Sequence, residues 1–168
     1  PHAAPAGHGP DDLCEAFYPH DAADHRLDDD LAAAGFGIDD IDAVFQSHLH
    51  VDHAGGLEWF AGTDTPVYVH ERELQFAYYD AVAGAGDGGY LRADFDHDLN
   101  WVPLTRDRET HFADLEFVRL PGHTPGLTGS VLHLETETLL FTGDQAALPE
   151  NYEAGVPPGG DFIWGKTE

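Results

Sequence analysis

Three imidazoles and a carboxylate crowd into the stretch Ser47-His48-Leu49-His50-Val51-Asp52-His53-Ala54-Gly55-Gly56. Neutral imidazole nitrogen and carboxylate oxygen are ligands for zinc, iron, manganese or cobalt. Packed together without a cation, such groups repel one another or stay hydrated. A His-rich surface loop would account for the composition, but not for the Gly-Gly pair or the apolar residues before the cluster. Far downstream, Leu120-Pro121-Gly122-His123-Thr124-Pro125-Gly126 sets a histidine between glycines and prolines, where a rigid turn fixes its direction. Alone that turn is weak evidence; in one chain with the first cluster it becomes strong. A third signal, Gly143-Asp144, closes the apolar run that ends at Thr142.

The surrounding pattern supplies elements to aim these groups. Asp42 to Gln46 reads as a short buried strand, and Gly55 to Phe60 as the first turns of a helix, so the cluster sits on a strand-to-helix turn. On extended backbone alternate side chains share a face, so His48 and His50 can address one ion. Asp52 and His53, where the chain turns into the helix, can reach a second. Upstream, Asp24 to Ala34 is expected to be a helix with Leu27, Leu31 and Ala34 on its apolar face, ended by Gly35 and Gly37. Pro66 to His70 reads as a strand and Glu71 to Ala83 as a helix whose first-turn acids suit its dipole. Tyr90 to Asn100 is read as a mobile acidic and aromatic segment near the site. Trp101 to Leu104 and Leu115 to Leu120 are expected strands, and Ser130 to Leu134 with Thr138 to Thr142 a hairpin that delivers Asp144. Residues 1 to 20, rich in Pro, Gly and His, read as a loop leading into the domain. His2, His8, His20, His97, His111 and His133 are taken as solvated, His70 as structural or exposed, and the lone Cys14 as a small hydrophobe outside any disulfide or thiolate cage.

The order of these motifs, His48-x-His50-x-Asp52-His53, then Gly122-His123-Thr124-Pro125-Gly126, then Phe141-Thr142-Gly143-Asp144, resembles the metallo-β-lactamase fold superfamily over about residues 24 to 162. That resemblance implies an α+β fold, the four-layer αβ/βα sandwich, with residues 1–168 as a single partial domain and two divalent metal ions at one edge. Zinc is the first choice, with iron, manganese or cobalt as alternatives. By carry-over, His48, His50 and His123 would bind the first metal, Asp52 and His53 the second, and Asp144 would bridge them. The family has one further histidine on the second metal, from a later strand, and no histidine follows His133 here. The sequence is therefore read as incomplete at both ends, since such folds run to ~200–250 residues as one domain. Alone, such a piece would leave the second site one ligand short, is not expected to be active, and would expose an unpaired sheet edge that invites homo-oligomers.

The implied activity is hydrolysis by a hydroxide bridging the metals, which opens a lactone or cleaves a related ester, with Asp52 as the catalytic proton carrier to the leaving group. His50 stands where flavin-linked di-iron relatives carry Glu, which favours a hydrolase. The run from Glu150 to Pro157 resembles the N-acyl-homoserine lactonase branch. A glyoxalase II-like thioesterase and a non-hydrolytic metal-binding or redox relative are the alternatives.

Composition narrows the partners. The 168 residues are 42% hydrophobic and 11% aromatic, enough for a core. Against 7 Lys and Arg stand 32 Asp and Glu, a net charge of −25, with Lys166 the only lysine. The acids are spread along the chain rather than blocked, which fits a surface adapted to high salt and so the cytoplasm of a halophile. No basic cluster suits nucleic acid. No apolar run approaches a membrane span. A small ester or lactone is the expected partner.

Overall fold

The computed structural model describes residues 26–84, 89–146 and 148–154. The expected loop over residues 1–20, with His2, His8, His20 and Cys14, lies outside them. Helices and strands alternate irregularly and the strands form two sheets, one of order β1 (Val44–Phe45), β2 (Pro66–His70), β3 (Asn100–Leu104) and one of order β4 (Arg108–His111), β5 (Leu115–Arg119), β6 (Thr128–His133), β7 (Thr138–Phe141). The described residues divide into two compact units, the first built from 26–45, 49–67, 77–84 and 89–102, the second from 46–48, 68–76, 103–146 and 148–154.

In the first unit α1 (Leu27–Ala33) ends at Gly35, whose φ of +89° is left-handed, so a residue without Cβ stops the helix there. Leu27 and Leu31 are half-buried, while Asp29, Asp30 and Ala34 face solvent. A 3₁₀ turn at Ile38–Asp40 is tied by the Gly37 N–H to the Asp40 carboxylate at 2.8 Å and leads into β1 (Val44–Phe45). Next, α2 (Val51–Ala54) is a single turn, followed by a 3₁₀ turn at Leu57–Phe60. The helix expected over Gly55 to Phe60 is therefore displaced. His50 has the extended φ and ψ of a helix-capping residue and its carbonyl accepts from the His53 and Ala54 N–H groups, so the α-turn begins earlier.

The core of this unit contains Leu49, Ala54, Leu57, Phe60, Val67, Ala77, Tyr90 and Phe95. Tyr90 to Asn100 differs from expectation: it contains α4 (Arg92–Phe95), with Tyr90 and Phe95 buried. Tyr78 packs edge-on to Phe95, with centroids 5.1 Å apart, and donates its hydroxyl to Asp96 at 3.0 Å, which also holds Arg92 at 2.7 Å. Two aromatic rings contribute apolar area that offsets the acidic surroundings.

β2 (Pro66–His70) and α3 (Glu71–Ala83) match expectation, and β3 (Asn100–Leu104) begins one residue early. In the second unit β4 (Arg108–His111), β5 (Leu115–Arg119), β6 (Thr128–His133) and β7 (Thr138–Phe141) form an antiparallel sheet in which Phe117 pairs with Ser130 and Ser130 with Phe141. β4 was not expected. It carries no apolar side chain and is held by backbone pairing and by a two-pronged Arg108–Glu116 ion pair at 2.6 Å. His111 accordingly lies in a strand, its ring 5.1 Å from Tyr68 and 5.2 Å from Phe117, rather than in solvent. Val69, Leu104, Phe117 and Leu127 are buried in this unit. Among the described residues β7 lies at the edge of its sheet, with Leu139, Leu140 and Phe141 all exposed. α5 (Pro149–Glu153) ends the described part, and no helix among the described residues is long and apolar enough to cross a membrane.

Candidate metal centre

His48 owes its position to the end of β1. The Gln46 N–H pairs with the Tyr68 carbonyl at 2.8 Å, and the Gln46 side-chain amide donates to the His48 carbonyl at 2.6 Å. Ser47 is tied twice, its carbonyl accepting from Thr128 N–H at 3.0 Å and its hydroxyl sharing a hydrogen bond with His48 Nδ1 at 3.2 Å. With Nδ1 engaged on one side, Nε2 of the fully buried ring (0% exposed) faces the other way. It points at Asp144.

His123 comes from the turn after β5. The Leu120 N–H donates to the Leu127 carbonyl at 2.7 Å, closing a loop around Pro121 to Gly126, and Thr128 Oγ1 donates to the Gly126 carbonyl at 3.0 Å. Asp144 follows β7 on a 3₁₀ turn, Gly143–Gln145. Gly143 has φ +54°, a left-handed backbone that favours a residue without Cβ, and a Cβ there would make only ordinary contact with Ser47 Cβ at 3.4 Å.

The three side chains converge inside the second unit. Asp144 Oδ2 lies 3.8 Å from His48 Nε2 and 3.5 Å from His123 Nε2, and the two rings meet edge-on with centroids 4.9 Å apart. His123 is 4% exposed and Asp144 38%. These separations exceed an N–H···O hydrogen bond of ~2.7–3.2 Å. They approach the roughly 3.3–3.5 Å between two donors on one tetrahedral zinc ion, given metal–ligand bonds of about 2.0–2.2 Å. Two buried imidazoles and a partly exposed carboxylate, spaced so, fit a divalent cation.

The first unit holds the other expected residues. His50 is buried at the start of α2, two residues along the chain from His48, and its ring packs on Tyr90 with centroids 4.5 Å apart. Asp52 and His53 follow on the same turn, half-exposed, with Asp52 Oδ2 3.6 Å from His53 Nε2. Of the remaining histidines, His133 is exposed on β6, while His70 is buried at the end of β2, where its Nδ1 accepts from the Arg72 N–H at 3.2 Å. Burial first, and then the Arg119 charge, push the His70 pKa down.

Two residues that touch expected ligands or their turns were not anticipated from the sequence. Tyr90, read as part of a mobile segment, abuts His50. Glu73, read as a first-turn acid serving a helix dipole, is fully buried and accepts a hydrogen bond from Thr124 Oγ1 at 2.5 Å. Sequence spacing holds no signal for either contact; only the pairing of a helix turn with a distant glycine turn brings them to light.

A family profile described as the metallo-beta-lactamase superfamily matches residues 7–168. The N-acyl homoserine lactonase AttM of Rhizobium radiobacter is 33% identical over 154 residues, covering 88% of this chain and 57% of that protein. The N-acyl homoserine lactonase AiiA of Bacillus thuringiensis subsp. kurstaki is 31% identical over 135 residues, covering 79% of this chain and 49% of the relative. A solved N-acyl homoserine lactone hydrolase, with the product N-hexanoyl-L-homoserine at its catalytic metal center, superposes with a TM-score of 0.71 at 27% identity, over 83% of this chain and 52% of that one. This chain thus spans about half the length of the curated relatives it matches.

Proposed function

The chain belongs to the metallo-beta-lactamase superfamily, and on that footing we propose that it carries the metal centre of a dinuclear hydrolase that opens lactones, N-acyl homoserine lactones first among them. The observation that carries this reading is the convergence of His48, His123 and Asp144 at ion-sharing separations. In the proposed arrangement His48, His50 and His123 would hold one ion, Asp52 and His53 would hold a second, and Asp144 would serve both.

Zinc, or alternatively iron, manganese or cobalt, would supply Lewis acidity toward a carbonyl oxygen and lower the pKa of nearby water. The residues of this chain do the rest. With a metal on Nε2, His48 would carry its proton on Nδ1 and donate it to the Ser47 hydroxyl 3.2 Å away. Packing against Tyr90 limits rotation of His50. Asp52, half-exposed, receives a proton on a carboxylate oxygen when water adds to the lactone carbonyl. It returns the proton to the ring oxygen as the C–O bond breaks. The product is the open hydroxy acid, with all atoms of lactone and water retained.

The spread acidic surface supports a salt-adapted cytoplasmic protein, also a proposal. A direct test loads the protein with zinc in high salt, measures metal per chain by elemental analysis and follows proton release from N-hexanoyl-homoserine lactone. Ring opening that disappears in His123→Ala supports the reading. In a chain extended past Glu168 to supply the further histidine, inertness toward lactones of every acyl length would remove lactones from the reading, and one metal or fewer per chain would remove the dinuclear centre.

A further inference from the structure

We infer that Glu73 is a positioning residue that fixes the direction of the His123 imidazole, acting through Thr124 and the backbone of Gly126. The inference rests on the metal-centre reading for its importance but not for its geometry, which lies within the second unit.

Glu73 sits in the first turn of α3, where an acid would favour the helix dipole equally well at the surface. It is instead 0% exposed. Taking a carboxylate out of water is costly unless it is hydrogen-bonded, so its position requires partners. One is the Thr124 hydroxyl, itself buried, donating to Glu73 Oε2 at 2.5 Å, the short length of a charge-assisted O–H···O⁻ bond. Thr124 is the residue after His123, so this bond grips the turn beside the imidazole.

A second contact reaches the same turn from the other end. At Gly126 an added Cβ would lie 2.5 Å from Glu73 Cα and 2.6 Å from Glu73 Cβ, distances that real side chains do not adopt. Backbone meets backbone there, and only glycine fits. Residues 124 and 126 are thus both seated on Glu73. Arg119 completes the seat by donating from Nη1 to the Pro125 carbonyl at 3.2 Å. His123 is left little freedom other than rotation of its own side chain, and that is limited by the edge-on His48 ring. Partners one step removed from a metal typically change affinity 10–100-fold when lost.

The test compares the chain with its Glu73→Ala, Glu73→Gln and Thr124→Val variants, after circular dichroism shows which are folded. Should Glu73→Ala fail to fold, Thr124→Val carries the test, because it keeps the shape and removes only the hydroxyl. Histidine ring carbon–proton spectra of the metal-free protein provide one readout. We expect the His123 signal to shift and broaden in Thr124→Val and Glu73→Ala, with the exposed His133 signal unmoved. Glu73→Gln should stay near the parent, since its amide oxygen still accepts from Thr124. Zinc titration provides the second readout, with affinity about 10–100-fold weaker in the first two variants and restored toward the parent in Glu73→Gln. An unchanged His123 signal, or zinc affinity within twofold of the parent in a folded Thr124→Val, overturns the inference. If the parent binds no zinc, the metal-centre reading falls, and the metal-free spectra still decide the role of Glu73.

Discussion

His48 and His123 meet edge-on, their ring planes 86° apart, with both Nε2 atoms turned to one oxygen of Asp144. A T-shaped pair of buried imidazoles around a carboxylate is poorly suited to an apolar core and well suited to a cation. His123→Ala and Asp144→Asn are each expected to cut zinc occupancy and to lower turnover at least ~100-fold, beyond the usual effect of outer partners. Differential scanning calorimetry checks the thermodynamic side. Zinc at about 100 times its Kd should stabilise the parent by about 2.7 kcal/mol, and the variants by less at the same concentration.

Gly126→Ala forces a methyl group into the backbone of α3 at Glu73. Neither side of that contact is a flexible side-chain end, so the strain cannot be relieved cheaply. A loss of about 1–3 kcal/mol or more is expected, seen as a lower urea midpoint at unchanged slope. Gly122→Ala should be milder, because the atoms it meets, 3.0–3.1 Å away, are the tip of the Gln145 side chain.

Between β4 and β5, Phe112 and Ala113 both adopt left-handed backbone, with φ of 53° and 55°. Turns of this kind favour Asn and Gly, and a residue bearing Cβ costs about 1–2 kcal/mol there. Ala113→Gly removes that strain at the cost of extra freedom in the unfolded chain. A net gain of up to about 1 kcal/mol is expected by urea denaturation. A loss would show that the turn is held by contacts of the Ala113 methyl.

The buried His70 has its pKa pushed below the ordinary histidine value, chiefly by desolvation. Below about pH 6.5 the unfolded chain therefore binds a proton that the folded chain resists. Stability falls as pH drops through that range, since the unfolded state then holds more protons. His70→Gln, whose amide oxygen can still accept from Arg72 N–H, should flatten the fall between pH 7 and 5 in urea midpoints measured pairwise with the parent. Parallel curves would exclude His70 as a contributor.

A net charge of −25 repels itself, and screening length drops to about 3 Å at 1 M salt. The melting temperature is expected to rise steadily from 0.1 to 2 M KCl. A flat or falling curve would remove the salt-adapted reading.

Where periodicity was strong, the sequence was legible: β2 and α3 begin and end where their apolar spacing and the glycine after Ala83 put them. The β6 and β7 hairpin was visible for the same reason. β4 was not, because Arg108-Glu109-Thr110-His111 has no apolar alternation and is held by its neighbour. The α2 turn was misplaced because four residues have no period, and its start depends on His50 adopting a capping conformation. At the site, motif order led to His48, His123 and Asp144, which the structure brings together, whereas Glu73 looked like any acid at a helix start. Its burial is a tertiary fact with no local signature.

The exposed apolar residues of β7 carry a consequence for handling the protein. Edge strands with a row of apolar side chains pair readily with other copies, and like charge is the main force keeping such copies apart. Salt that relieves repulsion within one molecule relieves it between molecules too. The chain should therefore have a colloidal window, bounded at low ionic strength by loosening and at high ionic strength by clustering through Leu139, Leu140 and Phe141, with Leu140→Lys widening it from above.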